Sequence, residues 1–383
     1  MKKLLFALVS MLAFTTYLFS QEIDNGNLTV THGPYLQKLT SDGVTIIWTT
    51  NKPAVPAINL TGPDGRKRFI RNSHDGIIDG GGMLHKVRVE GLEPGKTYSY
   101  SVNAVQVMKY QAYKIYYGDT LNLRPKSFST PAQKSEKVNF TVVNDVHQNA
   151  GKFGSYLRNI SNEPDFVFFN GDMMDFIQNE EDMFPSFIDT AVAHFAGTRE
   201  FLYTRGNHET RGYASRGFKK YFDFRNDKFY FSFDRGPVHF VVLDCGEDKT
   251  DDNRYYYGLA DYDTYRKEEL EWLKNEVKSE SFRNAAKRVV IVHMPIVKEE
   301  KQGHGMQFLA DNFGPVLSSA NVDLMLSAHT HRNTWYEKGK SGFQYPVLVN
   351  SANSFVEVTA DRNEIKATVK DVTGKVINSY SIK

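Results

Sequence analysis

The chain has 383 residues, with 47 Lys+Arg against 45 Asp+Glu, 40% hydrophobic residues and one cysteine. That length fits about two domains and a core large enough to need no disulfide staples. An ordinary composition and a net charge of only +2 exclude a disordered, collagen-like or coiled-coil chain, and a global basic field for nucleic acid.

Residues 1–20, MKKLLFALVSMLAFTTYLFS, set Lys2 and Lys3 before an uncharged apolar run from Leu4 to Phe19, with the small residue Ser20 before Gln21. The pattern predicts a secretory signal peptide and an exported protein, periplasmic or secreted from a bacterium. Its removal leaves 45 basic and 45 acidic residues, and no other stretch is long and apolar enough to cross a membrane. Cys245, at the end of the apolar run VHFVVLDCG, reads as a buried thiol, and a lone cysteine forms no internal disulfide.

Residues 22–130 read as short strands. GVTIIWTT (43–50), PAINLTG (56–62), MLHKVRVEGL (83–92) and KTYSYSVNAV (96–105) alternate or are rich in β-branched and aromatic residues, with Gly, Pro, Asn and Asp between them. Such spacing predicts a β-sandwich. The polar stretch around Pro131 marks a linker over 131–137.

Residues 138–383 have a different pattern. Apolar runs at 138–145, 165–172, 200–207, 238–246, 288–294 and 322–329 predict strands buried on both faces. TYRKEELEWLKNEV (264–277) predicts a helix, with Leu270, Leu273 and Val277 on one face. Together they predict a layered α/β domain. The last thirty residues return to β and are expected to add edge strands.

The ends of those runs carry the chemistry. They finish in Asp145 and His147, in Asp172 and Asp175, in Asn207, His208 and Glu209, in His293, and in His329 and His331. Five of the eleven histidines therefore sit where α/β folds place their ligand sites. Imidazole, carboxylate and amide donors without thiolate suit transition metals such as Zn, Fe or Mn. Seven candidate ligands exceed the four that one zinc takes and suit a pair of ions sharing a carboxylate. Arg211, Arg332 and His304 are candidate substrate contacts. The run RYYYGLADYDTY (254–265) reads either as a stacking wall or as core.

Asp145-x-His147, Gly171-Asp172-x-x-Asp175, Gly206-Asn207-His208-Glu209, His293 and Ala328-His329-x-His331 resemble the five blocks of the calcineurin-like metallophosphoesterase superfamily. The resemblance spans about residues 138 to 355 and implies a four-layer α/β/β/α domain. It implies one metal on Asp145, His147 and His331, a second on Asn207, His293 and His329, and Asp172 bridging them. It also implies attack on phosphorus by a metal-bound hydroxide, with His208 at the leaving group and Asp175 orienting His208. The segment GLEPGKTYSYSV resembles fibronectin type III, with Trp48 as its core tryptophan. With GPYLQ (33–37), the two-domain layout resembles the bacterial relatives of the purple acid phosphatases. Four departures matter. His147 stands where the purple enzymes have Gly, and Asp175 stands where they have the iron-ligating Tyr. Phe176 replaces the Arg of the Ser/Thr protein phosphatases, and Ala328 replaces a Gly.

The expected protein is an exported hydrolase acting on a small phosphate ester, with two divalent or trivalent transition-metal ions (Fe, Zn or Mn), no specific nucleic acid partner and an open oligomeric state. A phosphodiesterase or nucleotide pyrophosphohydrolase on the same site is the alternative. A surface-binding protein with structural metals is the alternative of another class.

Overall fold

The structure, a computed structural model, describes residues 27–383. The expected signal peptide and residues 22–26 of the β region lie outside them.

The β region comprises β1 (Val30–Gln37), β2 (Gly43–Thr61), β3 (Lys67–Ile70), β4 (Ser73–His74), β5 (Ile77–Ile78), β6 (Gly82–Glu90), β7 (Thr97–Gln111), β8 (Lys114–Asn122) and β9 (Lys126–Ser129). The two strands expected over 43–62 are one. The first half of β2 pairs with β1 and β6, and the second half with β3 and β7. A break in the β2–β6 register between Thr49 and Ala54 lets the strand change neighbours without ending. Both halves then feed one core. Val44, Ile46 and the fully buried Trp48 come from the first half, and Ile58 and Leu60 from the second. Tyr98, Tyr100 and Phe128 pack with them.

The rest of the chain is β10 (Lys137–Val143), α1 (Ala150–Arg158), β11 (Phe166–Asn170), β12 (Phe201–Thr204), β13 (Phe231–Arg235), β14 (Val238–Val242), α2 (Tyr262–Glu276), β15 (Lys287–Ile291), α3 (His304–Ser319), β16 (Leu324–Ser327), β17 (Thr334–Tyr336), β18 (Val347–Val349), β19 (Ser354–Asp361), β20 (Ile365–Asp371) and β21 (Val376–Ile382), with short helical turns between. They form two six-stranded sheets, ordered β12-β11-β10-β19-β20-β21 and β13-β14-β15-β16-β18-β17. Of the C-terminal strands only β21 is an edge. β19 pairs along β10, so the chain's end completes the first sheet from inside.

The apolar runs are continuous because both faces of each sheet are covered. In β14, Phe240 and Val242 enter one core while Val241 enters another. Val289 and Ile291 against Val290, and Leu324 and Leu326 against Met325, repeat the division. The shared core lies between the sheets, where Phe140 meets Phe240 at 5.1 Å and Phe166 meets Phe233 at 5.6 Å. Such aromatic pairs contribute about 0.5–1.5 kcal/mol beyond their buried area. Leu270 and Leu273 of α2 and Phe313 and Leu317 of α3 cover the outer face of the second sheet. Phe153 of α1 lies 5.3 Å from Phe169 of the first. Cys245 is buried as a free thiol.

The β region docks through β1. Tyr35 stacks on Phe201 at 5.8 Å, on the outer face of the first sheet, and its hydroxyl donates to the Tyr221 carbonyl at 2.7 Å. Gln37 Nε2 donates to the Phe201 carbonyl at 2.8 Å. Below them Glu200, fully buried, accepts from Leu39 N–H at 2.8 Å and from Arg235 Nη2 at 2.6 Å. Removing one partner of a buried pair strands the other charge. Glu200→Ala is therefore expected to cost about 3–5 kcal/mol in urea unfolding, and Arg235→Met on the same background should restore much of it. An unchanged midpoint for Glu200→Ala would show that the junction is not held this way.

Candidate metal centre

Three parallel strands of the first sheet, β10, β11 and β12, and two of the second, β15 and β16, point their carboxyl ends at one edge. The loops that follow carry Asp145 and His147, Asp172 and Asp175, Asn207 and His208, His293, and His329 and His331. Five of the seven candidate ligands have a left-handed backbone: Asp145 (φ 47°), His147 (50°), Asp172 (51°), His329 (71°) and His331 (59°). Asp and His tolerate that region better than most residues. The turn reverses the chain directly after each strand, so the side chains face one another across the edge.

Two glycines permit the closest approach. Gly171 has φ 76°, and a Cβ on it would meet Gly206 N at 2.5 Å. A Cβ on Gly206 would meet Asp172 Oδ1 at 2.1 Å. Glu209 locks the same crossing. Its buried carboxylate accepts from Asp172 N–H at 2.9 Å, Gly206 N–H at 2.7 Å and Met174 N–H at 3.0 Å. Burial first, and the Asp172 charge second, raise its pKa to about 7. The sequence pattern alone assigns Glu209 no role. An acid directly behind the Asn-His pair was the available signal.

The candidate donor atoms fall into two separate groups, with a third, His147, Asp175 and His208, overlapping the first. Asp145, His147 and His331 place one atom each within 4.8 Å of one another, as do Asp172, His293 and His329. In the first group His147 Nε2 is 3.1 Å from His331 Nε2, and Asp145 Oδ1 is 3.3 Å from His331 Nε2. In the second, Asp172 Oδ2 is 3.1 Å from His293 Nε2. Ligand bonds of about 2.0–2.2 Å put neighbouring donors on one ion roughly this far apart. The groups adjoin, with Asp145 Oδ1 4.0 Å from His293 Nε2.

Buried atoms without hydrogen-bond partners provide the test of fit. They include Asp145 Oδ1, Asn207 Oδ1 and His293 Nε2, three lone-pair donors at one edge. Each such group costs about 1–3 kcal/mol if left unsatisfied, and cations bound at this edge would satisfy them. His293 Nδ1 donates to the Asn170 carbonyl at 2.7 Å, which leaves the Nε2 lone pair facing the cluster. The local field agrees. Burial works against charge on His293, yet Asp172 and Asp145 hold its pKa up at about 10, and a cation bound there would displace the Nε2 proton. Its neighbour His329 is pushed down to about 4 by burial and by His293, so its imidazole is neutral and free to ligate. The donor set therefore fits transition-metal ions.

His208 opens a short helical turn, His208–Thr210. Its Nδ1 donates to the carbonyl of Asp175 at 2.9 Å, and its Nε2 lies 3.1 Å from Arg211 Nη1 and 3.9 Å from Asp172 Oδ2. The expected role of the Asp175 carboxylate is corrected here. It does not orient His208, because the backbone carbonyl of the same residue does so. The carboxylate bonds His147 Nδ1 at 2.8 Å instead, behind a candidate ligand. Arg211 reaches the site, clamped by Glu247 at 2.8 Å. Arg332 is exposed next to His331. His304 does not reach the cleft. It is the first residue of α3 and pairs with Asp263 at 2.9 Å, held there by the carboxylate on α2. His239, outside the cluster, is buried between Asp234 and Glu276.

The calcineurin-like phosphoesterase model matches residues 138–333, a span that holds every one of these side chains. The chain belongs to the calcineurin-like phosphoesterase family. It is a metallophosphoesterase, a hydrolase of phosphoric esters. A purple acid phosphatase from yellow lupin (Lupinus luteus) seeds has a similar fold, with 15% identity over 91% of this chain and 73% of its own and a TM-score of 0.64. PhoD is similar at 16% identity over 91% of this chain and 92% of its own, with a TM-score of 0.60. At these identities the likeness is one of fold. No curated protein sequence matches the chain.

Because Asp175 backs a ligand, Asp175→Asn is expected to weaken metal binding by about 10–100-fold. Equilibrium dialysis measures it, with turnover at saturating metal largely kept. Unchanged affinity with collapsed turnover would return Asp175 to the leaving group.

Proposed function

We propose that the protein is an exported, dinuclear metal-dependent phosphoesterase that hydrolyses small phosphate esters. The observation that carries this reading is the set of buried, unpartnered donors, Asp145 Oδ1, Asn207 Oδ1 and His293 Nε2. Asp145, His147 and His331 would hold one ion and Asn207, His293 and His329 the other, with Asp172 available to both. Fe, Zn or Mn suits these donors. Bound there, the ions supply positive charge for the phosphoryl oxygens and lower the pKa of an attacking water.

The chain's own residues do the remainder. His208 cannot turn, because Nδ1–H is committed to the Asp175 carbonyl, so Nε2 is the edge that meets the substrate. From there it stabilises or protonates the departing oxygen. Arg211, beside it, adds charge for phosphate. Glu209 holds the Asp172 and Asn207 loops in register. The Tyr ligand of the purple enzymes is replaced by Asp175, so no tyrosinate-to-iron colour is expected.

The remaining parts of the reading are export and the identity of the β region. The pattern of residues 1–20 supports export to the periplasm or beyond. No helix among the described residues is long and apolar enough to cross a membrane. The β region is read as a fibronectin III-like sandwich over 22–130, followed by a linker at 131–137 and the hydrolase at 138–383. Glu93 N–H donates to the Tyr98 hydroxyl at 2.8 Å, a tyrosine corner of the kind such sandwiches carry.

Purified protein is expected to hold up to two transition-metal ions and to hydrolyse p-nitrophenyl phosphate or its bis ester. Asp172→Ala and Asn207→Ala should lose metal and turnover together. His208→Ala should keep metal and lose about 10²–10⁴-fold in kcat. Full activity after exhaustive chelation would sink the reading.

A further inference from the structure

Beside His208 lies a cavity of about 750 Å³, within the size range of small-molecule sites. Part of its lining is the segment after Asn253, whose side chain accepts from Tyr255 N–H and starts a helical turn over Arg254–Tyr256. Tyr257 follows with a left-handed φ of 51°. The result leaves Tyr255 62% and Tyr257 88% exposed on the cavity's lining. No core needs these rings, so the core reading of RYYYGLADYDTY does not apply to them. The lining also carries Arg211, Arg216, Lys219 and Lys249. Arg211 is paired with Glu247, Lys219 with Asp227 and Lys249 with Asp248. Arg216 is exposed, and no ion pair is found for it among the described residues. An aromatic wall and an unpaired cation thus line the same cavity as Arg211, whose Nη1 lies 3.1 Å from His208 Nε2.

We propose that this cavity receives the leaving group, and that the leaving group is a nucleotide. The substrates are then nucleoside di- or triphosphates cleaved at the terminal phosphate. The base stacks on Tyr255 and Tyr257, and the phosphates that stay with it meet Arg216. A small alkyl leaving group would use neither. This rests on the hydrolase reading above. In the reaction the oxygen of water bonds to the terminal phosphorus, and the bond from that phosphorus to the bridging oxygen breaks. The bridging oxygen leaves with the electron pair on the shortened nucleotide, and the water protons pass to phosphate and solvent.

Two measurements test it. ADP and inorganic pyrophosphate, which share the anhydride but not the base, are titrated calorimetrically into metal-free protein. Turnover of ADP, pyrophosphate and glycerol phosphate is then compared on metal-loaded protein. ADP is expected to bind more tightly than pyrophosphate, and Tyr257→Ala to weaken ADP at least about fivefold. Arg216→Ala should weaken ADP as well. Both variants should leave glycerol phosphate turnover and the melting temperature unchanged. Equal binding of ADP and pyrophosphate, or variants with unaltered ADP affinity, overturns the pocket even where esters are hydrolysed. ADP binding that depends on Tyr257 and Arg216, with no ester hydrolysed, supports the pocket and overturns the hydrolase reading instead.

Discussion

Asp145 Oδ1, Asn207 Oδ1 and His293 Nε2 have been taken out of water and left without a protein partner. Burying a polar group this way is costly unless something satisfies it. Three such atoms at one edge, near a fully buried aspartate and a nearly buried one, make a field that demands positive charge. The raised pKa of His293 is one expression of that field. A metal ion is another, and it answers several orphaned donors at once.

Holding such donors together works against the chain's own preferences, and the scaffold has to impose it. Two sheets packed through Phe140, Phe166, Phe233 and Phe240 keep five strand ends in place. Glycines at 171 and 206 let two loops touch where any side chain would collide. Glu209 ties those loops through three backbone N–H groups. The β region contributes from behind, packing Tyr35 on Phe201 at the outer face of the first sheet and capping the buried Glu200–Arg235 pair. Its role is therefore at least partly one of support.

The same logic separates ligand support from acid–base work. An imidazole that binds metal through Nε2 needs its Nδ1–H directed elsewhere. His293 uses the Asn170 carbonyl for this, and His147 uses the Asp175 carboxylate. His208 uses only a carbonyl, and its Nε2 lies beside Arg211, outside the groups built on Asp145 and Asp172. Arg211, beside that edge, also lines the tyrosine-bearing cavity.

Much of this was legible in the chain itself. Continuous apolar runs ending in Asp, Asn or His announce strands buried on both faces with a polar site at their ends, because period-two side chains cannot all be apolar otherwise. The five blocks contain every residue of the candidate ligand groups. Other features depended on contacts between distant segments, which linear patterns do not encode. The fusion of two expected strands into β2 follows from a register break against β6. The capture of His304 by Asp263 joins residues 41 apart. The division of labour within Asp175, carboxylate to one histidine and carbonyl to another, is set by loop geometry rather than residue type. So is the exposure of Tyr255 and Tyr257, since the same aromatic letters serve equally as core. Residue chemistry and spacing determined which atoms can ligate, and only the tertiary structure decided which atom each one faces.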